Sequence, residues 1–291
     1  MGWTLRNDSW SLHFTEDGSL DGLYHAGLGR EVWNGPAASP WQLILRTADD
    51  LECPVDAAGQ TAFLSGTETC LEVTYPTLEW RGQRLPIRLT FRVELQGEDS
   101  IWTMDLVHEG GPLVSEAWFP LIARIGKLSP PNAEDALLWP AGCGSRLREP
   151  LQRLARPGGW QGYNEEMRRL RMLYPGQAAM QWYALTAADG GLYFAAEDDS
   201  LTSTCLNVVG TSTPTPSLAC SFVKYPFLQP GGRWSSPPCR VAAYRGPWQA
   251  AAARYHHWVR RWWRPPVPPA WVAAMPGWVL TIMKQQTGTV R

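Results

Sequence analysis

The chain has 291 residues, of which 26 are Lys or Arg and 27 are Asp or Glu, so its formal net charge at pH 7 is −1. This balance gives no electrostatic attraction to nucleic acid or to an anionic membrane surface, and it argues against both as partners. No run approaches the length of about 18 apolar residues that a membrane span needs, and the first residues lack the apolar region of a signal peptide. We therefore expect a cytoplasmic location.

The first half of the chain alternates apolar and polar residues, a pattern typical of strands with one buried face. The clearest example runs over 87–95, where every second residue is apolar. The same reasoning predicts strands at 9–14, 20–24, 41–46, 70–75, 102–106 and 118–125. The polar segment 49–59, which contains a proline, is predicted to be a loop.

Prolines and glycines interrupt the pattern from 127 to 176, and a long irregular connection of this kind is usually functional or mobile. Sugar sites combine aromatic platforms with a few polar groups that fix orientation. The candidate substrate-binding residues in this segment are Trp139, Arg146, Trp160, Tyr163 and Asn164. The alternative interpretation is that the aromatic residues only pack against the rest of the domain.

Strands are predicted again at 180–185, 192–196, 205–209, 218–223 and 240–244. Many strands in succession, with a helix only near the end, indicate an all-β sandwich. From Gly246 the apolar period becomes helical, with Pro247 suited to the first helical position, and the predicted helix runs to Trp263. We expect the apolar stripe of this helix, which includes Trp248, Tyr255, Trp258 and Trp262, to be packing residues.

No motif in the chain supplies chemistry by itself. The six cysteines form no CxxC pair and no Cys/His cluster with metal spacing, so we expect buried thiols and neither a metal nor a cofactor. The runs Glu165-Glu166 and Glu197-Asp198-Asp199 contain adjacent carboxylates, which point to opposite faces if they lie on a strand. We interpret them as solvated charges rather than a catalytic pair, with calcium binding at the second run as an alternative, and we predict no catalytic residue.

Several short segments carry a resemblance to a known group of proteins. They are Leu138-Trp139-Pro140, Tyr174-Pro175-Gly176, Met180-Gln181-Trp182, Gly191-Leu192-Tyr193-Phe194, and a helix of the form W..AA..Y..W followed by a proline-rich linker and an apolar strand. In these the chain resembles the galactose-mutarotase-like β-supersandwich that precedes the (β/α)8 barrel of certain bacterial glycoside hydrolases. The resemblance implies a large antiparallel β-supersandwich, then a C-terminal α-helix and the start of a (β/α)8 barrel, and it implies a carbohydrate substrate.

The implied division is a sandwich at 1–245, a linker helix and proline-rich linker at 246–276, and the first barrel strand at 277–291. A complete barrel takes roughly 250 residues, so we expect a chain truncated before its barrel, which would be its missing partner. The two carboxyl groups of glycoside hydrolysis would come from that barrel, and the isolated chain is expected to be inactive. Lys284 and Gln285 would fall at the C-terminal end of the first barrel strand and are further substrate-binding candidates.

Two other classes of function remain open. A stand-alone carbohydrate-binding module would use the aromatic residues of 127–176 to bind sugar. A sugar epimerase or lyase would need a His/Glu constellation on one concave sheet, for which His13, His108 and Glu116 are the candidates.

Overall fold

The computed structural model of the chain describes residues 2–33, 35–154, 168–212 and 215–277, which fold mainly into antiparallel strands. The first strands are β1 (Trp3–Arg6), β2 (Trp10–Phe14), β3 (Leu20–His25), β4 (Arg30–Glu31), β5 (Gln42–Arg46), β6 (Glu52–Asp56), β7 (Phe63–Gly66), β8 (Cys70–Tyr75), β9 (Leu78–Trp80), β10 (Gln83–Leu85) and β11 (Ile87–Gln96). The later strands are β12 (Asp99–His108), β13 (Leu113–Ile125), β14 (Ala136–Trp139), β15 (Ser145–Arg148), β16 (Arg169–Tyr174), β17 (Trp182–Ala187), β18 (Gly190–Ala196), β19 (Thr204–Thr211), β20 (Ser217–Lys224), β21 (Arg233–Ser235) and β22 (Cys239–Arg245). The helices are α1 (Pro150–Leu154), α2 (Gln249–Trp262) and α3 (Ala270–Ala273).

The described strands form two large sheets and two smaller ones. The ten-stranded sheet has the order β15-β14-β17-β18-β22-β12-β11-β8-β7, with β21 also paired to β12. The six-stranded sheet has the order β16-β19-β20-β13-β5-β6, the four-stranded sheet runs β1-β2-β3-β4, and β9 pairs with β10 alone. This arrangement confirms the predicted all-β antiparallel class.

The core lies where the three larger sheets face one another. Phe91 of β11 is fully buried, as the alternation in that strand predicts. Its ring centroid lies 6.0 Å from that of Phe119 in β13 and 6.3 Å from that of Phe14 in β2. One hydrophobic core is therefore shared by all three sheets.

The prediction of a loop over 49–59 was wrong for its central residues, which form strand β6. Strand β6 pairs with β5 in register, with Pro54 opposite Ile44, and it buries Cys53 and Val55. A proline is tolerated there because β6 is the outermost strand of its sheet, where a missing amide donor leaves no central pairing unfilled.

The described part of the segment 127–176 contains more strand than predicted. It contains the hairpin β14–β15, the short helix α1 and strand β16, which pairs with β19 along its whole length. Among the described residues of this segment, most of the glycines and prolines lie between these elements, and Pro150 is the first residue of α1. Four of the six cysteines are buried free thiols, as expected for most of them.

Helix α2 begins at Gln249, and it packs on the outer face of the ten-stranded sheet. Tyr255 and Trp258 are buried there against Trp182 and Tyr193, as the helical period predicts. In the ranges that the structure covers, no helix is both long and apolar enough to cross a bilayer. The strand predicted within 277–291 falls outside the described residues from 278 onward.

Candidate functional site

The turn of the β14–β15 hairpin shapes one side of the candidate site. Gly142 and Gly144 have φ of +54° and +96°, a backbone conformation that glycine adopts without steric cost. The amide of Gly144 donates a hydrogen bond to the carbonyl of Ala141 over 2.8 Å. Gly142-Cys143-Gly144 thus lies in a hairpin turn. It is followed directly by strand β15 and not by a helix whose N-terminus could bind a phosphate group.

A cavity of about 330 Å³ lies between this hairpin and the start of α2. Small-molecule sites occupy roughly 300–1,000 Å³, so the cavity lies at the lower end of that range. It brings together two of the sequence-predicted residues, Trp139 and Arg146, with Met180, Trp182 and Trp248. The last three were not predicted as site residues, although Met180 and Trp182 belong to a segment that carries the family resemblance.

The tryptophans have different roles in this cavity. Trp139 is only 3% exposed and its ring packs 5.5 Å from that of Tyr183, so it forms a wall rather than a free platform. Trp248 is 46% exposed and offers the accessible ring. The expectation that Trp248 is a packing residue was wrong, because α2 begins one residue after it and its side chain lies outside the buried face of the helix.

Arg146 is the one charged residue among the described residues that line the cavity. Its side chain is exposed, and it makes no ion pair with the described residues. Within the described part of the chain no carboxylate lines this cavity. It can hold a small polar ligand against an aromatic ring, but it lacks the paired carboxyl groups that glycoside hydrolysis requires.

The remaining predicted site residues cannot be placed. Trp160, Tyr163 and Asn164 fall in 155–167, and Lys284 and Gln285 fall in 278–291, both of which are outside the described residues. Their assignment to a substrate site stays a prediction.

The His13, His108 and Glu116 constellation is not formed. These residues lie on β2, β12 and β13, in three different sheets. His108 is fully buried, with Nε2 2.8 Å from the carbonyl oxygen of Pro112, whereas His13 is exposed. The epimerase or lyase interpretation thereby loses its proposed catalytic group.

Glu116 instead belongs to a cluster on the outer face of the six-stranded sheet. The indole Nε1 of Trp118 donates to its Oε2 over 2.7 Å, and the guanidinium of Arg171 lies 3.4 Å from the same oxygen. Arg171 also donates to the hydroxyl of Tyr225 over 3.1 Å, and burial raises the pKa of that tyrosine well above its usual range. Glu116 is therefore held by internal partners, as expected of a structural charge.

The carboxylates of 197–199 were predicted to be solvated, and two of them are not. Glu197 pairs with Arg240 over 2.7 Å and Asp198 pairs with buried Lys224 over 2.7 Å. Their partners lie in different sheets, on β22 and β20, as expected of neighbours that point to opposite faces. Across the residues that the structure describes, no three His, Cys, Asp or Glu side chains are grouped to hold a metal ion, so the calcium alternative gains no support.

Comparisons with known proteins identify the architecture. No protein-family model and no curated protein sequence matches the chain. A galactose mutarotase-like protein from Lactobacillus casei matches in structure with a TM-score of 0.56 at 11% identity, over 84% of this chain and 100% of its own. A GH36 α-galactosidase from Geobacillus stearothermophilus matches at 0.52 and 11% identity, over 89% of this chain and 43% of its own. An α-N-acetylgalactosaminidase from Bifidobacterium bifidum matches at 0.57 and 14% identity, over 90% of this chain and 39% of its own.

The chain has a galactose mutarotase-like fold. This fold covers a whole protein in the first comparison and less than half of each glycosidase in the other two. At such low identities the similarity establishes the architecture, and function has to be argued from the surfaces of this chain.

Proposed function

We propose that the galactose mutarotase-like fold of this chain serves as the non-catalytic N-terminal domain of a glycoside hydrolase, in which a (β/α)8 barrel follows and hydrolyses an O-glycosidic bond. The domain would support the barrel and contribute the cavity beside Trp248 to the surroundings of the sugar site. The two catalytic carboxyl groups would come from the barrel.

The observation that carries this proposal is a set of three exposed tryptophans in the chain after β22. Trp248, Trp263 and Trp271 are 46%, 48% and 70% exposed. Large aromatic side chains bury roughly 150–250 Å² each when covered. A barrel packed against α2 and α3 would remove these rings from water.

The fraction of this chain that each known structure matches supports this assignment. The two glycosidases match over 89% and 90% of this chain, against 84% for the mutarotase-like protein, so the glycosidase similarity takes in more of it.

The proposal is tested by reading the coding sequence past Arg291 and expressing the chain with whatever follows. We expect an open frame of roughly 250 further codons, with Asp or Glu at the ends of successive barrel strands. The extended protein should hydrolyse an aryl α-galactoside, an aryl α-N-acetylgalactosaminide or another member of a broad glycoside panel, while the 291-residue chain should hydrolyse none of them.

A stop codon directly after Arg291, or an extended protein inactive on the whole panel, would contradict the proposal. Hydrolysis by the 291-residue chain itself would contradict the non-catalytic role. A matched pair of extended variants tests docking: Trp271→Ser should impair folding or activity, whereas Phe63→Ser, which changes an equally exposed ring on the far edge strand β7, should not.

The alternative function is a stand-alone carbohydrate-binding module. It is favoured by the exposed ring of Trp248 beside the free guanidinium of Arg146 in one cavity. Sugar binding by the 291-residue chain at millimolar to micromolar Kd, about 4 to 8 kcal/mol, together with a stop codon after Arg291, would favour this alternative.

A further inference from the structure

The outer face of the four-stranded sheet carries a groove that shares no described lining residue with the cavity beside Trp248. The inner face of this sheet buries Leu5, Trp10 and Leu12 in the core. On the opposite face an open groove of about 1040 Å³ runs across β1 to β4 and is bordered by the 7–9 turn and by Glu68. This volume is slightly above the roughly 300–1,000 Å³ of small-molecule sites. The groove crosses four adjacent strands, which are about 4.8 Å apart, so an extended ligand can lie along it.

Two rows of side chains form the floor of the groove. The first row is Thr4, His13 and Gly22, which are paired across β1, β2 and β3. The second row is Arg6, Ser11, Tyr24 and Glu31, paired across all four strands. Gly22 has no side chain, and every other residue in these rows can donate or accept a hydrogen bond through its side chain. Tyr24 adds a ring that is 38% exposed.

The centre of the floor is held in one arrangement. The two ring nitrogens of His13 lie 3.1 Å from the hydroxyl oxygens of Thr4 and Ser11, one on each side. The ring lies across Gly22, where an added Cβ would come within 2.8 Å of His13 Cδ2. The absence of a side chain at Gly22 therefore lets the imidazole lie against the sheet and keeps the groove open.

The charges of the groove select a class of ligand. Asp8, Glu31 and Glu68 supply three carboxylates, and Arg6 supplies one guanidinium. The excess of negative charge disfavours phosphates, nucleic acids and acidic polysaccharides. The exposed ring and the many donors and acceptors suit a neutral polyhydroxylated ligand, whose apolar ring faces stack on aromatic side chains.

We propose that this groove is a second carbohydrate-binding site, which takes an extended neutral oligosaccharide or polysaccharide chain across β1 to β4, with Tyr24 as its stacking platform and the carboxylates of Asp8 and Glu68 as partners for sugar hydroxyls. The site is separate from the cavity beside Trp248 and does not depend on a downstream barrel. It would hold a long substrate at the surface of the domain.

The test is affinity electrophoresis of the 291-residue chain in native gels that contain galactomannan, arabinoxylan, dextran or soluble starch. We expect at least one neutral polysaccharide to retard the chain, and polygalacturonate to leave its mobility unchanged. Tyr24→Ala should raise the apparent Kd about tenfold or more, and Glu68→Gln, which keeps the shape of the side chain, should raise it severalfold.

One control separates this groove from other surfaces. Phe63→Ala removes an exposed ring outside the groove, so this variant should bind as the unmodified chain does. The proposal is overturned if no neutral polysaccharide retards the chain, if Tyr24→Ala and Glu68→Gln bind normally, or if Trp248→Ala alone abolishes binding. None of these readouts requires hydrolysis, so failure here is distinguishable from failure of the proposed glycosidase role.

Discussion

Asp198 and Lys224 form an ion pair that is almost completely removed from water. Their side chains are 1% and 5% exposed, and Nζ lies 2.7 Å from Oδ2. Burial by itself would raise the pKa of Asp198, but hydrogen bonds from Lys224, Ser200 and Thr202 outweigh burial and hold that pKa below its usual value. The carboxylate thereby fixes the segment 198–202 to the end of β20.

Replacement of Asp198 by Asn should be strongly destabilising. The change leaves the Lys224 ammonium buried without a counter-charge, and breaking one side of a buried pair costs about 3–5 kcal/mol. The control is Asp50→Asn, which breaks the exposed pair with Arg46 and should cost less than about 1 kcal/mol. Urea denaturation at pH 7 measures both, and similar losses in the two variants would contradict the prediction.

The same pair predicts a pH dependence. A carboxyl group whose pKa is lowered by folding contributes stability that is present above its unfolded pKa, about 3.9, and is lost as the pH falls through its folded pKa. The unmodified chain should therefore lose stability below about pH 4. Asp198→Asn lacks this titration, so its free energy of unfolding should fall less steeply there.

Helix α2 shows how one element is joined to the sandwich. Arg254 pairs with Asp99 over 2.5 Å and with Glu98 over 2.8 Å, both at the turn between β11 and β12. The hydroxyl of Tyr255 accepts a hydrogen bond from the amide of Gln181 over 3.2 Å. Polar contacts at both sides of a buried apolar stripe make α2 part of the folded domain rather than an appended segment.

Replacement of Trp258 by Ala tests whether α2 is part of the folded domain. Truncating a buried tryptophan costs about 3–5 kcal/mol, because apolar contacts are lost and a cavity remains. Trp263→Ala, just beyond the helix and half exposed, should change stability by no more than about 0.5 kcal/mol. Urea unfolding followed by circular dichroism is the measurement, and loss of helical signal with an unchanged midpoint would mean that α2 folds independently.

At the scale of the whole molecule, the aromatic core joins the sheets into one unit. Phe91 and Trp102 of the ten-stranded sheet both contact Phe119 of the six-stranded sheet and Phe14 of the four-stranded sheet, with ring centroids 6.0–6.3 Å apart. A change in one of these rings is transmitted to all three sheets.

Replacement of Phe91 by Ala should therefore lower the free energy of unfolding by about 3–5 kcal/mol and keep a single transition. Tryptophan fluorescence and far-ultraviolet circular dichroism should give the same midpoint in urea. Phe63→Ala, on an exposed edge, is the matched control and should have little effect. Separate transitions by the two probes would show that the sheets unfold independently.

The candidate site was only partly predictable. The sequence selected Trp139 and Arg146, which line one cavity, but it assigned Trp248 to packing and left open whether His13, His108 and Glu116 come together. Whether a side chain near the end of a helix is exposed depends on where the helix begins. Whether side chains from different strands come together depends on which sheet each strand joins. Neither quantity is encoded in local spacing.

The sequence by itself determined that the domain is all-β and ends in an amphipathic helix. Side chains alternate with period two on strands and with period 3.6 on helices, so a half-buried element shows its type locally. It also determined the near-zero net charge and the absence of known catalytic motifs.

Only the tertiary structure decided which distant residues share a surface. Thr4, His13 and Gly22 become neighbours through antiparallel register, and a register shift of one residue would turn the opposite face outward. Pro54 lies in a strand because that strand is at a sheet edge, which is a property of the whole sheet order. Packing between elements far apart in sequence places Trp248 beside Arg146 in one cavity, because such a contact arises from long-range packing rather than from local propensity.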